Sequence, residues 1–261
     1  MAQTDERKIV FVIPAFNEER NIEALLASTI QVMEKSRRPY RIFVVDDGSA
    51  DRTAQMVKKA GFSAPVSLLS QGQNLGVGEA FKRGFKAALS ELSDDDILVT
   101  KEADNTSDLT VLEAMLGRIE EGYDLALASC YAEGGGVEGT TPVRRILSGG
   151  ANLLLRAFCP VDGVRTYSSF YRAYRGKLVR EAQARYGENL FEEKGFACMV
   201  DLLLKLHELG ARVVEVPMVL RANKRLDQSK MKRVQTIAAY LVLIGRSWTR
   251  RVLGRRNRGV S

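Results

Sequence analysis

The chain has 261 residues, of which 45% are hydrophobic, and a formal net charge of +7. This length and composition fit one large α/β domain, alone or with a C-terminal appendage, and exclude a wholly disordered chain. The three cysteines are widely spaced and form no Cys-x-x-Cys pair, so neither a zinc site nor a disulfide framework is predicted. The one histidine, His207, lies in a helical pattern, which disfavours a mechanism built on a histidine base.

Positive charge is concentrated at the C-terminal end of the chain. Residues 221–261 contain 12 Lys and Arg and one Asp, a local charge of +11, which leaves −4 on the rest. Such a tail predicts a partner that bears phosphates, or it serves only solubility. Neither a signal peptide nor a bilayer-spanning segment is expected, because no apolar run has the required position or length. We therefore expect a cytoplasmic protein, with peripheral contact to an anionic membrane face as an option.

Apolar runs and helical patterns alternate along the first half of the chain. Strands are predicted at residues 8–16, 40–49, 66–70, 96–102 and 123–131. Helices are predicted at residues 17–35, 51–61, 76–92 and 109–122. This alternation indicates βαβ units and hence a parallel sheet covered on both faces.

The second half of the chain is less regular. It contains a glycine-rich loop at 132–142, a helix at 143–158 interrupted by Gly149 and Gly150, a helix at 195–210 and a strand at 212–220. We divide the chain into a domain at 1–228 and a basic amphipathic helix and tail at 229–261. That closing helix either lies in a membrane interface, with Trp248 at headgroup depth, or packs on the domain.

Polar residues follow three of the predicted strands. Since the carboxyl ends of parallel strands meet at one edge of a sheet, we expect these side chains to share that edge: Asn17, Glu18, Asp46, Asp47, Glu102 and Asp104. Acidic residues at this edge can bind a diphosphate when Mg²⁺ or Mn²⁺ bridges the carboxylates and the phosphates. The alternative is that these carboxylates are only the solvated ends of strands. Gly76 and Gly78 precede a helix, where they either admit an anion or only mark the helix start.

Five motifs in order carry a resemblance: "IPAFNEE", "VVDDGSADRT", "QNLGVGEAFKRGF", "EAD" and "SSFYRAYR". Together they resemble the family-2 glycosyltransferases of the GT-A fold, over roughly residues 8–233. Within that family they are most similar to the dolichol-phosphate mannose synthase and polyprenyl-phosphate glycosyltransferase branch. The resemblance implies a Rossmann-like, mostly parallel sheet flanked by helices, and a nucleotide-sugar-dependent hexosyltransferase.

The resemblance also implies roles for single residues. A donor site for a nucleotide sugar, GDP-mannose or a UDP-hexose, would use Pro14, Ala15, Asn17, Glu18, Asp46 (on the base), Asp47, Glu102 and Ala103. Asp104 matches the last Asp of the family's D-x-D metal motif and Glu102 takes the place of its first Asp, with Mg²⁺ or Mn²⁺ as the cation. Arg144, or its neighbour Arg145, matches a basic residue that binds the acceptor phosphate. The family has an Arg-to-Ser-Lys segment that closes over the phosphates, and its counterparts in this sequence are Arg221, Ser229 and Lys230.

The sequence departs from the mannose synthases at several of these positions. Glu102 is longer than Asp by one methylene, and Thr106 stands where those enzymes often have Gln. Cys130 stands where an arginine would contact the acceptor phosphate. Thr166 and Phe170 replace Asp and Gly in the "SSFYRAYR" region. These changes put the donor and the acceptor in doubt more than the activity.

Three hypotheses follow for the function. The first is an inverting transferase that moves a hexose, mannose by default, from a nucleotide sugar to polyprenyl phosphate, with no nucleic acid partner expected. The second is a soluble transferase acting on a saccharide or small-molecule hydroxyl, which needs a carboxylate base such as Glu192, Glu193 or Asp201. The third is a non-catalytic protein that uses its basic tail to bind nucleic acid or membrane.

Overall fold

A seven-stranded sheet forms the centre of the protein. The computed structural model describes residues 7–227 and 235–246. The strands are, in chain order, β1 (Ile9–Ala15), β2 (Tyr40–Asp46), β3 (Val66–Ser70), β4 (Ile97–Thr100), β5 (Leu125–Ser129), β6 (Gly136–Glu138), β7 (Arg172–Arg175), β8 (Val213–Pro217) and β9 (Val219–Arg221). The large sheet has the order β3-β2-β1-β4-β7-β5-β8, and β6 and β9 pair separately. Strand β7 runs antiparallel to both of its neighbours, whereas the other pairs are parallel.

Helices cover both faces of this sheet. They are α1 (Ile22–Ser36), α2 (Thr53–Ala60), α3 (Val77–Leu89), α4 (Leu112–Glu120), α5 (Pro142–Phe158), α6 (Gly176–Tyr186), α7 (Cys198–Glu208) and α8 (residues 235–246). Strand β1 is buried along its whole length, and its residues alternate between two cores. Val10 and Val12 pack with residues of α3, α6 and α7, whereas Ile9, Phe11 and Ile13 pack with residues of α1, α2 and α4. The expectation of a GT-A-type sheet covered on both faces is confirmed.

The structure differs from the sequence prediction at several elements, including helix α6, which was not predicted, and strand β6, which lies within the predicted glycine-rich loop. Strand β7 was not predicted, because four residues that begin and end with arginine carry no apolar run. Helix α5 continues through Gly149 and Gly150, although each glycine costs about 1 kcal/mol in a helix interior, and buried Asn152 and Leu155 hold the helix against the domain. The predicted strand at 212–220 is divided into β8 and β9, which pair with β5 and β6.

The described part of the C-terminal segment packs onto the domain. In α8, Tyr240 and Leu243 are buried in the same core as α7, whereas Ile237, Leu241 and Val242 are exposed. The boundary expected at 228/229, together with Ser229, Lys230 and Trp248, lies outside the described residues. Among the helices of the described ranges, none combines the length and the apolar content that crossing a bilayer requires.

Candidate active site

A cavity of about 1260 Å³ opens at the carboxyl edge of the sheet. Segments that follow β1, β2 and β4 line one side of it, and residues of α5 and α8 line another. The donor-site residues expected from the sequence that line the cavity are Pro14, Ala15, Glu18, Asp47, Glu102, Ala103 and Asp104. The edge of the sheet therefore brings most of the predicted site together.

Asn17 and Asp46 lie behind the cavity wall instead of lining it. The backbone N–H of Asn17 donates to Ser49 Oγ at 2.8 Å, and its side-chain oxygen accepts from the backbone N–H of Ala50 at 2.8 Å. Buried Asp46 accepts from the backbone N–H of Ser49 at 3.1 Å. These contacts fix the turn after β2 against the loop after β1, so both residues shape the edge of the sheet beside the cavity.

Asp47 occupies the amides that precede α3. Its carboxylate accepts from the backbone N–H groups of Leu75 (2.7 Å) and Gly76 (3.0 Å) and from Gln71 Nε2 (2.7 Å). Burial raises the pKa of Asp47, although these hydrogen bonds lower it in part. The backbone N–H of Gly78 donates to the Lys194 carbonyl. The backbone of residues 193–194 lies so close to Gly78 that a Cβ on this glycine would meet the Glu193 backbone oxygen at 1.9 Å. The glycines thus allow close backbone packing, and their amides bind groups of the protein itself.

Asp104 is an almost buried carboxylate that faces the cavity. Its Oδ1 accepts from the backbone N–H and the hydroxyl of Thr106, at 3.0 and 2.7 Å. Its Oδ2 accepts from the guanidinium of Arg225, with Nε at 2.8 Å and Nη2 in close contact. Burial raises the pKa of Asp104, but Arg225 and the Thr106 hydrogen bonds outweigh burial and hold it below its ordinary value. Asp104 is therefore an ionised carboxylate near neutral pH.

Glu102 connects two segments of the cavity wall. Its Oε2 accepts from Ser107 Oγ at 3.0 Å, and its Oε1 accepts from the backbone N–H of Phe170 at 3.2 Å. Beneath this loop, fully buried Lys101 donates to the Ser107 carbonyl at 2.6 Å and lies 4.6 Å from the ring centroid of Tyr171. Burial lowers the pKa of Lys101, and the charges of nearby carboxylates oppose that shift. The loop after β4 is thus held from both sides.

The arginines expected on the phosphates lie in different places. Arg145 lines the cavity and donates to the Val137 carbonyl at 3.0 Å. Arg144 lies in α5, with its side chain outside the described part of the structure. Arg221 does not line the cavity; it pairs with Asp108 at 2.5 Å and with Glu138 at 3.3 Å. Lys230 lies outside the described residues.

Three further cations line the cavity that the sequence reasoning did not select: Lys194, Arg225 and Arg246. Arg225 lies four residues beyond Arg221, in a polar connector that has no periodic pattern, and the family resemblance pointed to Arg221 alone of the two. Cys130, which replaces an expected arginine, is half-buried at the cavity, and burial raises its pKa to about 11. It is therefore a neutral thiol at physiological pH.

The carboxylates considered as a general base are ion-paired. Buried Lys205 donates to Asp201 at 2.7 Å and to Glu192 at 3.0 Å. Arg246 pairs with Glu193 at 3.1 Å. Asp201 does not line the cavity, whereas Glu192 and Glu193 do. Burial raises the pKa of Asp201, and the bond to Lys205 opposes that shift.

The side chains that could ligate a metal ion are few, which fits a cation that arrives with a substrate. Within residues 7–227 and 235–246, no three His, Cys, Asp or Glu side chains form a group that could hold a metal ion. Mg²⁺ commonly takes one or two carboxylates and completes its shell with substrate phosphates and water. Ionised Asp104, beside open cavity space, is suited to such a ligand set.

Similar proteins match this chain over most of its length. The chain is 29% identical to the dolichol-phosphate mannosyltransferase of Pyrococcus furiosus over 90% of its own residues, and it spans 62% of that relative's length. It is also 29% identical to the polyprenol monophosphomannose synthase of Mycolicibacterium smegmatis, over 86% of this chain and 81% of the relative. These relatives confirm the branch that the motifs resemble.

A solved structure has the same fold. Glucosyl-3-phosphoglycerate synthase from Mycobacterium tuberculosis, in complex with Mn²⁺, UDP and glucosyl-3-phosphoglycerate, superposes with a TM-score of 0.61 at 23% identity, over 92% of this chain and 80% of that one. This likeness supports the GT-A architecture. The family model for "Glycosyl transferase family 2" matches residues 10–182. The cavity at the carboxyl edge of the sheet lies among the motifs of that match, and the chain belongs to glycosyl transferase family 2.

Proposed function

We propose that the protein is an inverting, metal-dependent glycosyltransferase that moves a hexose, mannose by default, from a nucleotide sugar to a polyprenyl phosphate at a membrane surface. Two of its relatives are named for transfer of mannose to dolichol phosphate and to undecaprenyl phosphate. The donor is a GDP- or UDP-linked sugar. Direct displacement by the acceptor phosphate inverts the α-linkage of the donor to β.

An exposed apolar stripe on α5 is the observation that carries the lipid acceptor. Ile146 is 72% exposed and Leu153 is 65% exposed. Further exposed apolar side chains of α5 recur at helical spacing: Val143, Leu147, Leu154 and Phe158. Soluble proteins seldom expose so many apolar side chains on one helix. A helix of this kind is suited to bury its apolar face in a membrane interface.

This stripe adjoins the candidate active site. Leu147, Ala151 and Leu155 of α5 line the cavity, as do Ile237 and Tyr240 of α8. A lipid phosphate held at the membrane surface would reach the cavity between these two helices, with its chain against apolar side chains. Arg145 is the described α5 cation placed to meet its phosphate.

A phosphate acceptor also agrees with the carboxylates of the cavity. A phosphate monoester is largely ionised near neutral pH, so its attack on the anomeric carbon requires no strong general base. Glu192 and Glu193 are engaged by Lys205 and Arg246, and Asp201 is buried away from the cavity. A hydroxyl acceptor would require one of them to be released as a base.

On the donor side, the chain's own residues position the leaving group. Asp104 would hold the divalent cation, Mg²⁺ or Mn²⁺, which neutralises the diphosphate when bound. A structural neighbour was solved with Mn²⁺ and UDP. Arg225, next to Asp104, is placed to donate to the departing diphosphate, and Asp47 and Glu18, which also line the cavity, would face the nucleoside.

The test is an assay of sugar transfer by the purified protein. It is incubated with Mn²⁺ or Mg²⁺, a panel of nucleotide sugars and a short polyprenyl phosphate, and mass spectrometry is used to detect glycosylated lipid. We expect a product that gains one hexose with one donor, and no product from the polyprenol that lacks phosphate. Chelation of the metal should abolish the product.

Two outcomes would contradict this proposal. Metal-dependent release of nucleoside diphosphate with a water-soluble acceptor, but without lipid product, would identify the soluble transferase. Salt-sensitive binding to DNA or vesicles without turnover of any donor would identify a non-catalytic binding protein.

A further inference from the structure

We infer that Glu102 is a positioning residue that ties the donor loop to the aromatic wall of the cavity, and that Asp104 alone of the "EAD" carboxylates binds the cation. The inference rests on the proposed donor site and changes the role that the family motif assigns to Glu102. It follows from the groups that each oxygen of Glu102 contacts.

Glu102 lies where the β4–β7 pairing ends. Thr100 is the last residue of β4 in register with β7, opposite Arg172. The backbone N–H of buried Phe170 lies just beyond that ladder and requires an acceptor. Glu102 Oε1 accepts from it at 3.2 Å, while Thr100 Oγ1 donates to the Phe170 carbonyl at 2.6 Å. The Glu102 side chain thus extends the pairing after the strand has ended.

The length of the Glu102 side chain allows it to contact two segments at once. The other oxygen of Glu102 accepts from Ser107 Oγ at 3.0 Å, so one carboxylate holds two segments. An Asp at this position is shorter by one C–C bond, about 1.5 Å, and would lose at least one of these contacts. The Glu in place of the expected Asp is therefore explained by its contacts within the protein.

Glu102 joins two functional parts of the cavity wall. The Phe170 ring packs 5.3 Å from Phe81 and 5.5 Å from Phe196, measured between centroids, and Phe170 and Phe196 line the cavity. Ser107 closes the loop that carries Asp104, and its carbonyl accepts from Lys101. Glu102 thereby connects the cation-binding loop to the wall beside α5 and α8, where the acceptor would lie.

Two variants separate positioning from metal ligation. Glu102→Gln keeps an acceptor for the Phe170 N–H and a partner for the Ser107 hydroxyl but loses the charge. Glu102→Asp keeps the charge and shortens the reach. Asp104→Asn serves as the reference for a lost ligand. Mn²⁺ binding is measured by electron paramagnetic resonance with GDP and separately with UDP, and thermal unfolding is measured without ligand.

For Glu102→Asp we expect a smaller loss of Mn²⁺ affinity than for Asp104→Asn, a lower unfolding temperature and a raised KM for the lipid acceptor with kcat less affected. For Glu102→Gln we expect an unfolding temperature and acceptor KM near those of the unmodified protein. Asp104→Asn should lose Mn²⁺ affinity by at least about tenfold.

The inference is overturned if Glu102→Gln loses Mn²⁺ affinity as severely as Asp104→Asn, or if Glu102→Asp retains the unfolding temperature of the unmodified protein. The binding and unfolding measurements need no acceptor. They therefore decide the role of Glu102 even if no polyprenyl phosphate is glycosylated, in which case only the proposed function fails.

Discussion

The guanidinium of Arg225 donates to the carboxylate of Asp104, with Nε 2.8 Å from Oδ2 and Nη2 in close contact with the same oxygen. The protein's own cation thus neutralises the carboxylate that would hold a metal ion. A charge-assisted pair of this kind competes with a metal for the same oxygen. A diphosphate that draws Arg225 toward itself would expose Asp104 and bring the cation with it.

Replacement of Arg225 by Gln should therefore increase binding of Mn²⁺ in the absence of nucleotide. The guanidinium no longer competes for Asp104, and we expect affinity to rise by about tenfold, since a hydrogen bond to a charged group contributes roughly 1.5–3 kcal/mol. Titration of Mn²⁺ followed by electron paramagnetic resonance would measure the change. Arg221→Gln is the matched control, because Arg221 pairs with Asp108 and Glu138 outside the cavity. Equal affinities in both variants would refute competition at Asp104.

The same pair predicts a pH dependence of stability. Arg225 and Thr106 hold the pKa of Asp104 below its ordinary value despite burial. A depressed pKa stabilises the folded state above the unfolded value of about 3.9, and that contribution is lost as the pH falls through the folded pKa. Urea unfolding of the unmodified protein and of Arg225→Gln should thus differ at pH 7, and the difference should shrink below about pH 4. A difference that is constant from pH 7 to pH 3 would contradict this account.

The sequence predicts the layout of the fold better than the contacts within the site. Apolar runs such as Ile9–Ala15 form buried strands, and parallel pairing places their following residues at one edge. This reasoning located Asp47, Glu102 and Asp104 at one cavity. Local patterns predict the strands and the sheet edge that they share, because strand burial and direction depend on short segments.

Contacts between distant segments were not predicted. Arg225 reaches Asp104 across 121 positions in the chain, and Phe170 reaches Glu102 across 68. Strand β7 pairs with β4 on one side and β5 on the other. Its own four residues carry no pattern that predicts a strand. Side-chain partners of this kind depend on the tertiary arrangement, so the family motif could indicate the loop after β4 but not the partners of each carboxylate.

The ion pair between Lys205 and Asp201 should contribute to stability more than to catalysis. Lys205 is almost fully buried and donates to Asp201 at 2.7 Å. Lys205→Met leaves a buried carboxylate without its cation and should lower the free energy of unfolding by about 3 kcal/mol. Arg118→Met, at the exposed Arg118–Glu121 pair, should cost less than about 1 kcal/mol. Urea denaturation measures both values.

Asp201→Asn then tests the alternative of a hydroxyl acceptor. Asp201 lies outside the cavity lining, so the folded variant should transfer sugar at a rate within about tenfold of the unmodified protein. Steady-state assays at a temperature well below the unfolding transition would measure that rate. A loss of several orders of magnitude in kcat, with the fold intact, would instead assign Asp201 as a base.

The apolar stripe of α5 predicts a specific loss of membrane contact. The double variant Ile146→Glu, Leu153→Glu places two charges on side chains that are 72% and 65% exposed, so folding should be little affected. Vesicle binding should fall by at least roughly 100-fold, because each buried apolar side chain contributes about 1.5–3 kcal/mol. Sedimentation with vesicles that contain anionic lipid measures this loss, and nucleotide binding should remain unchanged.

Phe62 offers the matched control for this double variant. It is 90% exposed but lies between α2 and β3, at the amino edge of the sheet and away from the cavity. Phe62→Glu should leave vesicle binding and lipid glycosylation unchanged, because only the α5 side of the molecule is expected to face the membrane. If both variants weakened vesicle binding equally, the contact would not be directed by α5, and the route from membrane to cavity would have to lie elsewhere.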